Sequence, residues 1–158
     1  MHKRKHIRWD ESAGPGPNAQ HQLPAMAAAY FAQGRQLLAG KQSHSDLHSL
    51  RLATKRLRYT LELFRSCYGP GLRARMTALR QLQQCLGQVN DCDTAARVLA
   101  DYSKKSPQRN QFKQFLAQRS LEKAAEFRRF WTDEFDGPGQ EQWWTGYLAR
   151  HTRPARKR

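Results

Sequence analysis

The chain has 158 residues, a formal net charge of +15 and a pI of about 10.5. This length favours a single domain, and no apolar run approaches the roughly 18 residues that a membrane-spanning helix requires. The charge predicts a polyanionic partner, such as polyphosphate, nucleic acid or an anionic membrane surface.

The cysteines and the N-terminus indicate the compartment. Cys67, Cys85 and Cys92 lack Cys-x-x-Cys spacing, so neither a disulfide framework nor a zinc site is expected, and a reducing environment is favoured. The basic N-terminus is not followed by the apolar segment of a signal peptide. We therefore expect a cytoplasmic protein that does not insert into membranes.

Both ends of the chain are basic. Residues 1–22 are rich in Lys, Arg, His, Gly, Pro and Gln, and the run Gly14-Pro15-Gly16-Pro17-Asn18 is a strong helix breaker. This stretch is predicted to be a disordered tail, residues 23–150 to be a helical domain, and residues 151–158 to be a second basic tail.

Helical signals fill the domain. The predicted helices run from about Pro24 to Ala39, Ser43 to Tyr68, Leu72 to Val89, Asn90 to Tyr102, Ser106 to Phe135 and Gln140 to Ala149. Ser43 with Asp46 forms a capping box at the start of the second helix, and Gly69-Pro70 ends it. Because period-two alternation is absent, the fold class is all-α, a bundle of antiparallel helical hairpins.

The second helix carries two rows of residues side by side. Leu50, Thr54, Leu57, Leu61 and Phe64 form one apolar face. The second row occupies an arc of roughly 120° and is called the cationic stripe; it contains His44, His48, Arg51, Lys55, Arg58, Tyr59 and Glu62, with Arg65 at its edge and Arg56 on its flank.

The cationic stripe is about 25 Å long, far longer than a single phosphate. Like charges at these spacings cost a few tenths of a kcal/mol each, and only Asp46 and Glu62 interrupt the cations. The pattern therefore favours an extended anion as ligand. A solvated basic face, or a network with acidic groups of neighbouring helices, is the alternative.

The third helix adds Arg73, Arg75 and Arg80. Arg73 and Arg80 are seven residues apart and share a face with Gln84, which would border the cationic stripe in an antiparallel hairpin. The run Leu86-Gly87-Gln88-Val89-Asn90-Asp91 follows. Its glycine suits close helix packing, and its Asn-Asp pair suits either a helix cap or, through the aspartate, an ion pair with the second helix.

Catalytic patterns are lacking. His44 and His48 stand at i and i+4, but no HExxH motif surrounds them and the positive charge disfavours a metal ion. No P-loop or paired carboxylates are evident, so we predict no enzyme activity, metal or cofactor. We expect the core to contain Leu121 and the aromatic residues Phe112, Phe115, Phe127, Phe130, Trp131, Trp143, Trp144 and Tyr147. As an alternative, Tyr59, Trp143, Trp144 and Tyr147 could stack on nucleic-acid bases.

Two motifs resemble the CHAD domain, the conserved histidine α-helical domain. The first is His-x-x-Arg-x-x-x-Lys-Arg-x-Arg-Tyr over residues 48–59, and the second is Leu-Gly-x-x-Asn-Asp over residues 86–91. The resemblance covers roughly residues 25–135. It implies a four-helix bundle, here with a short C-terminal helix, that binds inorganic polyphosphate without catalysis and is often targeted to polyphosphate granules.

Carried over by position, the resemblance makes His48, Arg51, Lys55 and Arg58 the best ligand candidates. The predicted polyphosphate-binding set is His44, His48, Arg51, Lys55, Arg56, Arg58, Tyr59, Arg65, Arg73 and Arg80. A non-specific nucleic-acid-binding protein using the same surface is the alternative, and a phosphohydrolase is a third reading that lacks carboxylates for Mg²⁺.

The chain departs from the family in length. Members are usually about twice as long and place two similar bundles across a basic pore, whereas this sequence contains one copy of the histidine motif. The hypothesis that follows is a homodimer, in which two chains pair with two-fold symmetry and rebuild the pore between their stripes.

Overall fold

The computed structural model describes residues 8–150, which form five α-helices and no β-strand. The helices are α1 (Pro15–Ala39), α2 (His44–Leu63), α3 (Leu72–Tyr102), α4 (Pro107–Phe130) and α5 (Gln140–Arg150). A 3₁₀ turn at Arg65–Cys67 follows α2, and a π-helical turn at Trp131–Phe135 follows α4. The all-α fold class is confirmed. Residues 1–7 and 151–158, which belong to the predicted tails, lie outside the described residues.

The first helix begins earlier than predicted. Helix α1 starts at Pro15, and Ala19 within it is fully buried, so the prediction of a disordered tail is wrong for residues 15–22. Prolines in a first helical turn are tolerated because the backbone N–H groups there have no partner within the helix. Residues 8–14 also pack on the domain, since Trp9 stacks on Phe64 with ring centroids 5.1 Å apart.

The third and fourth predicted helices are one continuous helix, so the predicted break at Asn90 is wrong. Helix α3 runs through residues 90–94 without interruption, and neither Asn90 nor Asp91 is a cap. Val89 and Cys92 are buried against the neighbouring helices, and this packing outweighs the turn preference of the polar residues. Gly87 has no atom within 4 Å of where a Cβ would lie, so it does not serve close helix packing as predicted.

Helices α2 and α3 form the antiparallel hairpin that positions the cationic stripe. The capping box at Ser43 and Asp46 is confirmed. Along the hairpin, His48 contacts Asn90 and Arg58 contacts Gln83. The residue numbers of the partners on α3 therefore fall as those on α2 rise, as in an antiparallel pair. Helix α1 packs on α2 and α5, and α3 packs on α4.

An aromatic cluster closes the core between α1, the π-helical turn and α5. Its members Tyr30, Phe31, Trp131, Phe135 and Trp144 are all at least 96% buried. The wide π-helical turn directs Trp131 and Phe135 into the same core, with ring centroids 4.8 Å apart. Gly34 of α1 lies directly beneath the Trp131 indole, where a Cβ would overlap the ring.

Part of the predicted core is exposed. Phe112, Phe115 and Leu121 of α4 face solvent, contrary to the prediction, and Trp143 of α5 is half-exposed. Helix α4 packs mainly on α3, and the residues it buries there are Leu116, Ser120 and Phe127. A helix with a single main neighbour buries one narrow face, so apolar residues on its other faces remain outside.

Candidate functional site

The buried face of α2 determines where the cationic stripe points. Leu50, Leu57 and Leu61 are at most 1% exposed, as is Thr54, whose hydroxyl pairs with the Tyr30 hydroxyl at 2.6 Å. This contact between α1 and α2 fixes the rotation of α2 about its axis. The cationic stripe consequently lies on the side of α2 that borders α3.

His44 is held in place by a carboxylate of the neighbouring helix α3. Its Nδ1 lies 2.5 Å from Oδ2 of Asp93 on α3, and Oδ1 of Asp93 accepts a hydrogen bond of 3.0 Å from Ser120 on α4. A carboxylate only accepts, so Nδ1 of His44 carries the proton and donates. Neutral His44 therefore presents a bare Nε2, and it can donate to an anion only when the ring is protonated.

His48 is held by an amide instead. Its Nδ1 lies 3.1 Å from Oδ1 of Asn90 on α3. The Asn90 amide can accept through its oxygen or, after a half turn, donate through its nitrogen. In the second arrangement neutral His48 carries its proton on Nε2 and can donate to a phosphate oxygen. The two histidines therefore differ in their hydrogen-bond partners on α3: a carboxylate holds His44 and an amide holds His48.

Arg51 and Lys55 are central cations of the cationic stripe that lack an acidic partner among the described residues. Both are half-buried. Nε of Arg51 is buried without a hydrogen-bond partner. Buried donors are nearly always satisfied, and Nε of Arg75 is the other exception among the described side chains.

Arg58 is oriented by three neighbours. Its Nε donates to Oε1 of Gln83 at 2.8 Å, and its Nη1 pairs with Glu62 at 3.2 Å. Its guanidinium carbon lies 4.3 Å from the centre of the Tyr59 ring, and Nζ of Lys55 lies 5.9 Å from the same ring. Tyr59 therefore supports two cations of the stripe from its outer side.

Cations of α3 extend the stripe, and the structure brings them together with those of α2. Arg65, Arg73 and Arg80 line one open depression of about 610 Å³, which Glu62 also borders. Arg80 and Arg58 line a second depression of about 300 Å³. Since Arg80 is common to both, the surface from Arg58 to Arg73 is continuous, and we call it the basic groove.

Two arginines stand apart from this groove. Arg56 is exposed on the outer side of α2, away from α3. Arg75 is only 2% exposed and lies between the rings of Trp143 and Tyr147, at 3.5 and 3.9 Å from their centres. Burial lowers its pKa to about 10. Arg75 is thus a buried cation that joins α3 to α5, not a ligand of the groove.

Sequence reasoning missed the residues behind the stripe. Gln83, Asn90 and Asp93 of α3 hold Arg58, His48 and His44, respectively. Their spacing of seven and three residues places them on one face of a continuous helix. The predicted break at Asn90 concealed this pattern. Asp91, the residue considered for an ion pair, is exposed instead.

Neither a candidate metal site nor a candidate membrane-spanning helix is found among the described residues. Within residues 8–150, no three or more His, Cys, Asp or Glu side chains are grouped so as to hold a metal ion. None of the helices in the same range has the length and apolar character needed to cross a membrane.

Comparison with known proteins gives one result. The model of the CHAD domain matches residues 3–100, which is more than half of the chain and includes α1, α2 and nearly all of α3. The match begins earlier and ends earlier than the resemblance read from the two motifs. Neither the curated proteins nor the solved structures compared with the chain gave a match. The histidine-bearing helix, the all-helical bundle and this match together establish that the chain belongs to the CHAD-domain family.

Proposed function

We propose that this protein binds inorganic polyphosphate along the cationic stripe and the basic groove, as a non-enzymatic targeting or scaffold module. The observation that carries the proposal is a row of cations supported from behind by α3, in which Arg51 and Lys55 have no acidic partner among the described residues. Association of the CHAD family with polyphosphate supports the same ligand. In a cell this binding would act in the cytoplasm, at polyphosphate granules.

The geometry suits a linear and regularly charged anion. A helix offers one residue of a given face about every 5.4 Å, so the cationic stripe presents a cation at nearly every turn. Arg51 and Arg58 supply planar forks that match phosphate oxygens, and Lys55 supplies a point charge between them. A compact anion would use only one or two of these groups.

The acidic residues disfavour phosphoryl transfer. Such reactions use Mg²⁺ held by carboxylates beside the phosphates. Glu62 is the one acid on the cationic stripe, and it pairs with Arg58. We therefore expect polyphosphate to be retained without cleavage. Release of orthophosphate from polyphosphate in the presence of Mg²⁺ would contradict the non-enzymatic assignment.

A competition assay tests the ligand. Labelled long-chain polyphosphate is bound to the protein at physiological salt and challenged with unlabelled polyphosphate, single-stranded nucleic acid or double-stranded nucleic acid at equal phosphate concentration. We expect efficient displacement by polyphosphate alone, because the cations lie along one narrow line and no base-reading motif accompanies them. Equal displacement by nucleic acid would instead favour a non-specific nucleic-acid-binding protein.

A further inference from the structure

The outer side of α2 carries a row of exposed residues with the spacing of a helix–helix seam. The row alternates in steps of four and three residues, as the contact positions of paired helices do. Its members, which we call the outer row, are Ser45, Ser49, Leu52, Arg56, Tyr59 and Leu63, and all are exposed. Nothing else in the described chain covers this row.

The part of the outer row from Leu52 to Leu63 is mostly apolar, and Arg56 is its one charged member. Leu52, Tyr59 and Leu63 are 42%, 49% and 77% exposed, respectively. Single exposed apolar residues are common on protein surfaces, but three in line along one helix form a patch of the kind found at interaction sites. Tyr59 also belongs to the cationic stripe, and the cations of the stripe lie less than about a third of a turn around the helix from the outer row.

The outer row is complementary to itself when two copies run antiparallel. A two-fold axis passing between positions 57 and 58 places Leu52 against Leu63 of the partner subunit. The same axis places Arg56 against Tyr59 of the partner subunit, which is a favourable cation–π contact. In a parallel pair each position would meet itself, so that Arg56 would face a like charge. The residues therefore select the antiparallel arrangement.

Symmetry then decides where the cationic stripes lie. An antiparallel helix pair has its two-fold axis perpendicular to the plane of the two helices, and this rotation keeps both stripes on the same side of the plane. A parallel pair has its axis along the helices, and its stripes would face opposite sides. In the antiparallel pair the two stripes border a single trough, so that the partner contributes half of the cations around one bound chain.

We propose that a second copy of this chain docks along the outer row in this antiparallel register, and that polyphosphate lying in the shared trough holds the two copies together. This inference rests on the proposed function. The apolar part of the seam is only about 17 Å long. We infer that its contact area falls short of the roughly 1,000 Å² of buried surface that a stable interface requires. Each chain also carries a charge of +15, so the copies repel each other until an anion lies between them.

Cysteine cross-linking tests the register. Leu52→Cys and Leu63→Cys are made separately in a background with Cys67→Ser and Cys85→Ser, then mixed with polyphosphate and mild oxidant. We expect a disulfide-linked dimer from the mixture. Each variant alone should give none, because equivalent positions lie roughly 17 Å apart along the seam, beyond the roughly 7 Å between Cα atoms that a disulfide spans. Phe112→Cys, an exposed residue of α4, is the control and should not cross-link to either.

Two outcomes would overturn this interface. One is the absence of a mixed dimer although both variants bind polyphosphate. The other is equal cross-linking of Leu52→Cys with itself, which would show copies arranged at random along the polyanion. Measuring polyphosphate binding on the same two variants separates the failures, since loss of binding would overturn the proposed function instead.

Sedimentation gives a second readout. The mass of the wild-type protein should double on adding polyphosphate of limited length, and the doubling should be lost when Leu52 and Leu63 are both changed to Gln. Replacing Phe112 and Phe115 by Gln removes a similar exposed apolar patch elsewhere and should leave the doubling intact. A wild-type monomer both with and without polyphosphate would contradict the dimer.

Discussion

Removing Arg51 and Lys55 together should weaken polyphosphate binding far more than removing Arg156 and Lys157 from the predicted C-terminal tail. Neither Arg51 nor Lys55 has an acidic partner among the described residues, so no ion pair has to break before a ligand binds to it. A hydrogen bond to a charged group contributes about 1.5 to 3 kcal/mol net. At the lower value the double Ala variant should lose about 3 kcal/mol, which is on the order of a 100-fold rise in Kd.

The salt dependence of binding gives a second magnitude. Each phosphate neutralised on a single-stranded polyanion contributes about 0.7 to the slope of log affinity against log salt concentration. The cations of the stripe and groove that would each meet one phosphate are Arg51, Lys55, Arg58, Arg65, Arg73 and Arg80. The wild-type slope should therefore be about −4, and the slope of the double variant about −3. Fluorescence anisotropy of labelled polyphosphate across a salt series measures both.

The matched control changes the same charge elsewhere. Arg156→Ala with Lys157→Ala also removes two cations, but from the predicted C-terminal tail, and should raise Kd only a few-fold. Circular dichroism and the Tm of both variants check that the fold is intact. Equal losses of affinity in the two double variants would refute the reasoning, because diffuse charge rather than the cationic stripe would then govern binding.

Three further predictions concern single residues. Glu62→Gln should lower the Kd for polyphosphate a few-fold in the same anisotropy assay, because it frees the half-buried Arg58 from its ion pair. Asp46→Asn should lower the Tm at neutral pH, and the difference should shrink in acid. Hydrogen bonds from the N-cap serine lower the pKa of Asp46 below its usual 3.8. The carboxylate therefore stabilises the fold above that pH, and this stabilisation is lost as the pH falls through the folded-state pKa. Gly34→Ala should cost about 2 kcal/mol or more in urea unfolding, since overlap with the buried Trp131 indole outweighs the roughly 1 kcal/mol gained in helix propensity.

Each of these has an outcome that would count against it. A weaker rather than tighter complex for the Glu62 variant would mean that the carboxylate mainly positions Arg58. A Tm difference for Asp46→Asn that persists in strong acid would remove the carboxylate from the explanation. For Gly34 the control is Gly87→Ala, which has open space around the new methyl group and should stabilise α3 by up to about 1 kcal/mol. Equal effects at the two glycines would disprove the packing argument.

Local signals in the sequence were sufficient for much of the fold. Alternating steps of three and four residues identified α2 and its buried face, and the capping box placed its first residue, because both depend on neighbours within one or two turns. The same local reasoning failed at Pro15 and Asn90, where helices continue through residues that favour turns. Burial of Ala19, Val89 and Cys92 decides those positions, and burial depends on the other helices.

The division is similar at the candidate site. The order of cations along α2 is a property of the sequence, since the period of a helix alone puts His48, Arg51, Lys55 and Arg58 in one line. The same period places Arg73 and Arg80 on one face of α3, but only the tertiary structure shows that Arg75 is buried between two aromatic rings. It alone also reveals the α3 side chains that hold the histidines and Arg58. The helix that carries a side chain determines where it lies around the helix axis. Its partners and its burial depend on residues that are distant in the chain, and only folding brings those residues within a few ångströms.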